Sequence, residues 1–246
     1  MEINYSWVHL YSLPFHFTEL YGFTCYSNLN QQCSYSTVRH LYFTKNFHNR
    51  MISFQSLKKQ MPNLVSIDCG PTCYHRCAHN TLKNYDNILY NVQTLYYKVI
   101  CDSSDCIYSN QFCPTVSRMP NLKVLTASIQ TFNQLNHPLM FLKKLHLHNC
   151  QYIDFDKLTT LIPNLCKLLL TGCPMDSYEL SLWVHSLFVR FSQLIVLSLL
   201  LVYDRSKNRR SAKEVAEEIL TTVQNMDSKF QHLKLTFDDR RIVFFF

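Results

Sequence analysis

Apolar residues recur along this chain at positions 1, 4 and 6 of a short frame, with polar or mixed residues between them. Leu64, Ile67 and Cys69 fill the frame, as do Leu122, Leu125 and Ala127, then Leu165, Leu168 and Leu170. Each of these copies follows Pro-Asn: MPNLVSIDC at Met61–Cys69, MPNLKVLTA at Met119–Ala127 and IPNLCKLLL at Ile162–Leu170. Three of the 8 prolines open the same phrase, where composition alone predicts roughly a tenth of one, so the phrase marks an internal repeat. The frame recurs without proline at Leu142, Leu145, Leu147 and at Leu194, Leu197, Leu199. Looser copies are Val38, Leu41, Phe43, then Val92, Leu95, Tyr97, and Phe230, Leu233, Leu235. Starts at 38, 64, 92, 122, 142, 165, 194 and 230 lie 26, 28, 30, 20, 23, 29 and 36 residues apart.

Positions 4 and 6 share one side of a short strand, because side chains alternate across a strand. One such strand cannot bury its apolar side alone, and stacking the copies in parallel joins them into a continuous core. The chain must return between strands, and some of the returns read as helices. Asp176 with Glu179, ahead of Leu180, Val184 and Leu187, forms a capping-box pattern, as does Ser211 with Glu214 ahead of Val215, Ile219 and Val223. Most of the spacings fall in or near the leucine-rich-repeat range. The expected fold is an α/β leucine-rich-repeat solenoid, right-handed, with parallel strands on the concave face and helices or loops on the convex face. It covers residues 35–246 as about eight irregular repeats, after an irregular N-terminal segment or cap at 1–34.

Two copies extend further. LKKLHLHNC at Leu142–Cys150 and LCKLLLTGC at Leu165–Cys173 place Cys at position 9, where the strand turns away. The phrase P-N-L-x-x-L-x-L-x-x-C resembles the cysteine-containing repeats of F-box/leucine-rich-repeat proteins, from about Val38 onward and most specifically over Met119–Cys173. The resemblance implies protein–protein recognition, as the substrate-binding part of a ubiquitin-ligase adaptor. That family places a helical F-box before its repeats, and no such helical pattern follows Leu13 and Pro14. Ubiquitin-ligase subunits are therefore expected partners only if an F-box lies outside this chain. One alternative is a non-ligase scaffold or receptor module using the same face. Another, of a different class, is a zinc-binding module or a cysteine enzyme.

Composition narrows the function classes. Hydrophobic residues make up 47% and charged residues 17%, which excludes global disorder. With 3 glycines, the chain has no Gly-rich phosphate loop and no dinucleotide fingerprint. A net charge of +7 suits a mildly basic face without marking a nucleic-acid binder, and nucleic acid is not an expected partner. The longest apolar stretch, Leu194–Val202, fits a buried strand and is too short for a membrane span. The N-terminus lacks the basic-then-apolar pattern of a signal peptide, and the 11 cysteines then point to free thiols in a reducing compartment. The expected location is intracellular, cytoplasmic or nuclear, with no membrane partner.

The odd frame positions 3 and 5 form the face opposite the core, where a repeat protein binds. Lys143, Lys144, His146, His148 and Lys167 gather on two adjacent strands there. They read as a basic patch for an acidic or phosphorylated protein partner, or as an ordinary solvated face. Tyr42 and Tyr96 read as aromatic anchors or as good strand formers. The densest set of potential ligands is Cys69, Cys73, His75, Cys77 and His79, but no Cys-x-x-Cys pair is present. Cys73, His75, Cys77 and His79 are the candidates if a metal binds; the reading adopted is a Cys-rich loop, with no metal and no cofactor. Asp204–Arg210 is basic and reads as a solvated linker, with nuclear import or phosphate contact as the alternative. The ending RIVFFF, Arg241–Phe246, reads as a final strand packed on the array or as a point where the natural chain continues. No Gly-x-Ser-x-Gly elbow, His-Glu-x-x-His helix or Walker loop is present, and no enzyme is expected.

Overall fold

A computed structural model describes residues 18–21, 35–42, 54–69, 88–97, 107–173, 176–201, 211–238 and 240–246. They form an α/β arrangement around one open, mostly parallel 10-stranded sheet, in the order β1-β2-β3-β4-β5-β6-β7-β8-β10-β9. The strands are β1 (Glu19–Tyr21), β2 (His40–Tyr42), β3 (Ser66–Asp68), β4 (Thr94–Tyr96), β5 (Val124–Ser128), β6 (Lys144–His148), β7 (Lys167–Cys173), β8 (Val196–Leu201), β9 (Lys234–Phe237) and β10 (Arg241–Phe245). The helices are α1 (Phe54–Gln60), α2 (Ile107–Ser117), α3 (Ile129–Phe132), α4 (Phe155–Leu161), α5 (Ser177–Arg190) and α6 (Ala212–Met226).

The register follows the sequence frame. From β2 to β8 the position-4 residues are lateral partners: Leu41, Ile67, Leu95, Leu125, Leu145, Leu168 and Leu197. All are buried, and with the position-1 residues they belong to one core cluster that includes Leu180, Val184 and Leu187 of α5. Stacking equal frame positions turns a sparse apolar pattern into a continuous layer, while a slip of one residue would expose the whole row.

The structure adds a core row that the frame omits. The N–H at position 1 donates to the carbonyl three residues back, as from Leu64 to Met61 at 3.1 Å, Leu122 to Met119 at 3.1 Å and Leu194 to Phe191 at 3.0 Å. The acceptor residues Met61, Leu89, Met119, Leu139 and Phe191 are buried. Met-Pro-Asn-Leu is thus a β-turn with proline at its second place, where the fixed φ fits.

Two ends differ from the sequence expectation. Within the segment read as irregular or a cap, Glu19–Tyr21 forms β1 and pairs in parallel with β2. At the other end, the copy beginning at 230 is displaced. Its turn bond runs from the Leu233 N–H to the Phe230 carbonyl at 3.0 Å, so Phe230 occupies the turn row instead of position 1. β9 does not join β8: β10 lies between them, antiparallel to both. The parallel run is therefore β1–β8, and Arg241–Phe246 packs on its end. The Phe246 ring lies 5.5 Å from Phe188 and 5.7 Å from Phe230.

Helix starts follow the caps. Asp154 and Asp176 accept from the backbone N–H of Lys157 and Glu179. Ser211 and Glu214 complete a reciprocal capping box.

Candidate functional site

The asparagine of the repeated phrase is structural. Its side-chain amide donates to a carbonyl in the preceding copy: Asn63 to Ser36 at 2.8 Å, Asn91 to Pro62 at 2.8 Å, Asn121 to Tyr90 at 2.9 Å and Asn164 to Met140 at 2.9 Å. These rungs tie turn to turn where the strand ladder has not yet begun, so the most specific sequence signal is explained without any ligand.

The turn-away cysteines are structural too. Asn149 and Gly172 both stand at position 8 with positive φ, 59° and 82°. Asn and Gly tolerate that region best; Asn149 follows the end of β6, and Gly172 marks a bulge within β7, where the register on β8 shifts between Thr171 and Cys173. Cys150 and Cys173 follow, both buried, and the Cys150 thiol donates to the Leu147 carbonyl at 3.3 Å. Burial pushes the Cys150 thiol up to about 12. It also raises that of Cys173, with Cys150 adding to the effect. Neither is a nucleophile at neutral pH.

The face opposite the core carries six of the seven predicted binding residues. Lys144 and Lys167 are direct partners across β6 and β7, both exposed. Among the described residues, no carboxylate forms an ion pair with either. His146 and His148 follow at alternate positions on β6, partly buried, with ring centroids 4.0 Å apart. His148 Nδ1 lies 2.9 Å from Thr171 Oγ1, and that hydroxyl donates to the Leu147 carbonyl at 3.2 Å. The hydroxyl's one proton is thereby used, so Nδ1 carries a proton and donates. This bond fixes the His148 ring against β7.

Lys143 stands apart from this patch. It occupies position 2, before the strand, and its Nζ reaches Gln193 Oε1 at 3.3 Å. Tyr42 and Tyr96 lie in the same lateral row as His146, in the order Tyr42, Asp68, Tyr96, Thr126, His146. They flank Asp68, and β5 separates them from the histidines. The face is less open than the sequence suggests: Thr126 and Ser198 are buried in this row, and Ser66 in the row beside it. Small residues on closely spaced strands are covered by larger neighbours. Arg241 closes the far end by donating from Nε to Ser198 Oγ at 2.7 Å, a contact that no frame position announced.

Sequence reasoning also missed a groove of ≈ 620 Å³ at the entry side of the first strands, lined by Ser36, Arg39, Asn63, Val65, Asn91 and Gln93 among others. Its signal was present as Thr37, Asn63 and Asn91 at position 0, with Arg39 and Gln93 at position 2. Cys73, His75, Cys77, His79 and the basic loop Asp204–Arg210 lie outside the described residues. Among the described residues, no group of three or more His, Cys, Asp or Glu is placed to hold a metal ion, and no helix is long and apolar enough to cross a membrane. In comparisons with protein-family models, curated proteins and solved structures, the chain matches none.

Proposed function

We propose that the chain is a leucine-rich-repeat solenoid that recognises a protein partner on the odd-position face of its sheet. The partner presents acidic or phosphorylated side chains to Lys144, Lys167, His146 and His148. The observation that carries this reading is the direct pairing of Lys144 with Lys167 beside two imidazoles whose rings lie 4.0 Å apart and tilted. Placing like charges on directly opposite residues is unfavourable in a sheet. An incoming anion reverses that penalty by neutralising both. The Pro-Asn-Leu-to-Cys phrase supports the family resemblance, and with it the finer reading of a substrate-binding part of a ubiquitin-ligase adaptor. A non-ligase scaffold would use the same face.

The test is binding of fluorescent phosphoserine and Glu-rich peptides to wild type and to Lys144→Glu/Lys167→Glu. Both lysines are exposed, so the variant should melt as wild type does. Its dissociation constants should rise about tenfold or more, and wild-type binding should weaken steeply with salt. Equal binding by the double variant, or no acidic peptide bound at low salt, overturns the proposal.

A further inference from the structure

Four copies share a rule for the turn, placing Pro62-Asn63, Tyr90-Asn91, Pro120-Asn121 and Pro163-Asn164 before position 1. The copies starting at 38 and 194 have the small or polar pairs Ser36-Thr37 and Ser192-Gln193, whereas the copy starting at 142 has Met140-Phe141. The backbone turn is unchanged, since the Leu142 N–H donates to the Leu139 carbonyl at 3.1 Å. The side-chain rung is lost, because phenylalanine offers the Pro120 carbonyl no donor. In its place stand two large apolar side chains in solvent, Met140 at 50% and Phe141 at 60% exposure.

Their surroundings are apolar and basic. Strand spacing of about 4.8 Å brings successive turns side by side along one edge of the sheet. Exposed Pro120 and Tyr90, the latter at 57%, continue the ridge from Met140. Lys123 and Lys143 stand beside it at position 2, both exposed. From two residues before position 1 to position 3, no Asp or Glu occurs in the seven copies that start at 38 to 194. A contiguous exposed apolar patch marks an interaction site, and an acid-free basic border selects the charge of what covers it.

We propose that Met140, Phe141 and Tyr90 form a docking site on this edge for an acidic segment of a partner protein that carries apolar anchors. Methionine and phenylalanine receive the anchors, and Lys123 and Lys143 receive the carboxylates. The site is separate from the sheet face, since it uses neither Lys144 nor His146.

The chain's own rule supplies the decisive variant. Met140→Pro/Phe141→Asn gives this turn the sequence of its neighbours and restores a donor for the Pro120 carbonyl. It should melt at or above the wild-type temperature. The probe is a fluorescent acidic peptide carrying Leu and Trp, beside an equally charged peptide without them, single-stranded RNA and anionic vesicles. Wild type should bind the Leu/Trp peptide best, and the double variant should bind it about tenfold or more weakly. Tyr90→Ser should weaken it in the same direction. Unchanged binding by the double variant overturns the site, and so does a lower melting temperature, which would make Phe141 a packing residue. Preference for RNA, vesicles or the charge-only peptide overturns the assigned partner. So does a doubled mass in light scattering that the variant abolishes, which would assign the ridge to a second copy.

Discussion

Strands β1–β4 contain three residues each, whereas β5–β8 contain five to seven, although β2–β8 all begin from the same frame. The two groups part company at position 6. In β5–β8 this position holds Ala127, Leu147, Leu170 and Leu199, which pair laterally and are fully buried. In β3 and β4 the strand has ended before Cys69 and Tyr97. Cys69 is only partly buried, and Tyr97 turns its ring onto Phe112, with centroids 5.1 Å apart. The turn phrase sets where a strand begins; the residue at position 6 sets how far its ladder runs. Longer ladders align more side chains, which is why the fixed His148–Thr171 contact arises at β6–β7.

The comparison is broken most severely at position 4. Leu168 and Leu41 are both 1% exposed, so their transfer terms are alike. Their cavities differ in how readily they close. Leu168 sits between Leu145 and Leu197 on long ladders, whereas Leu41 sits on a three-residue strand between two others of the same length. Leu168→Ala should cost about 4 kcal/mol and Leu41→Ala about 2 kcal/mol, because poorly relaxing cavities cost more. Urea unfolding of both variants measures the gap. Equal losses would show that strand length does not stiffen the second half.

The parts legible in the sequence are those that repeat. Positions 1 and 4 recur with the same residue types, so the lateral register followed from the frame alone. The buried row three residues before position 1 was as regular, but its members Met61, Leu89, Met119 and Phe191 share size and not identity. β1 was invisible because three residues hold too little pattern, and its strand depends on an edge offered by β2. The eighth copy misled because Phe230, Leu233 and Leu235 satisfy the spacing from a turn row. The insertion of β10 between β8 and β9 joins residues distant in sequence, which a local frame cannot encode. At the candidate site, the structure sets Lys144, His146, His148 and Lys167 on one face of β6 and β7, as alternation expects, and Lys143 before β6, where that alternation does not apply.

A smaller effect is expected at the β7 bulge of the second half. A Cβ on Gly172 would come within 3.1 Å of Asn149 Cα, and Gly172 has φ of 82°. Backbone strain and the close approach both oppose a side chain there. Gly172→Ala should cost about 2 kcal/mol in urea unfolding, less than Leu168→Ala. It should also speed labelling of Cys173 by a thiol reagent, since the bulge that shields that cysteine would loosen. Wild-type stability and labelling would mean that the β7 bulge is no part of what distinguishes the longer strands.

The smallest effect is expected at the feature that both halves share. Asn121 joins them, because its amide reaches from the turn of β5 to the Tyr90 carbonyl before β4. Asn121→Ala removes the donor but leaves an acceptor that water can reach, so the loss is that of one solvent-accessible hydrogen bond. That is about 1 kcal/mol, against the larger penalty for a buried unsatisfied group. Asn164→Ala, wholly within the second half, should cost the same, because the rung acts before the ladders diverge. Hydrogen exchange at Val124 and Tyr97, whose N–H groups donate to Gln93 and Thr126, would report whether β4 and β5 separate first in Asn121→Ala. A loss approaching that of Leu168→Ala would reverse the comparison, making the turn rungs, and not the depth of the ladder, the main support of the sheet.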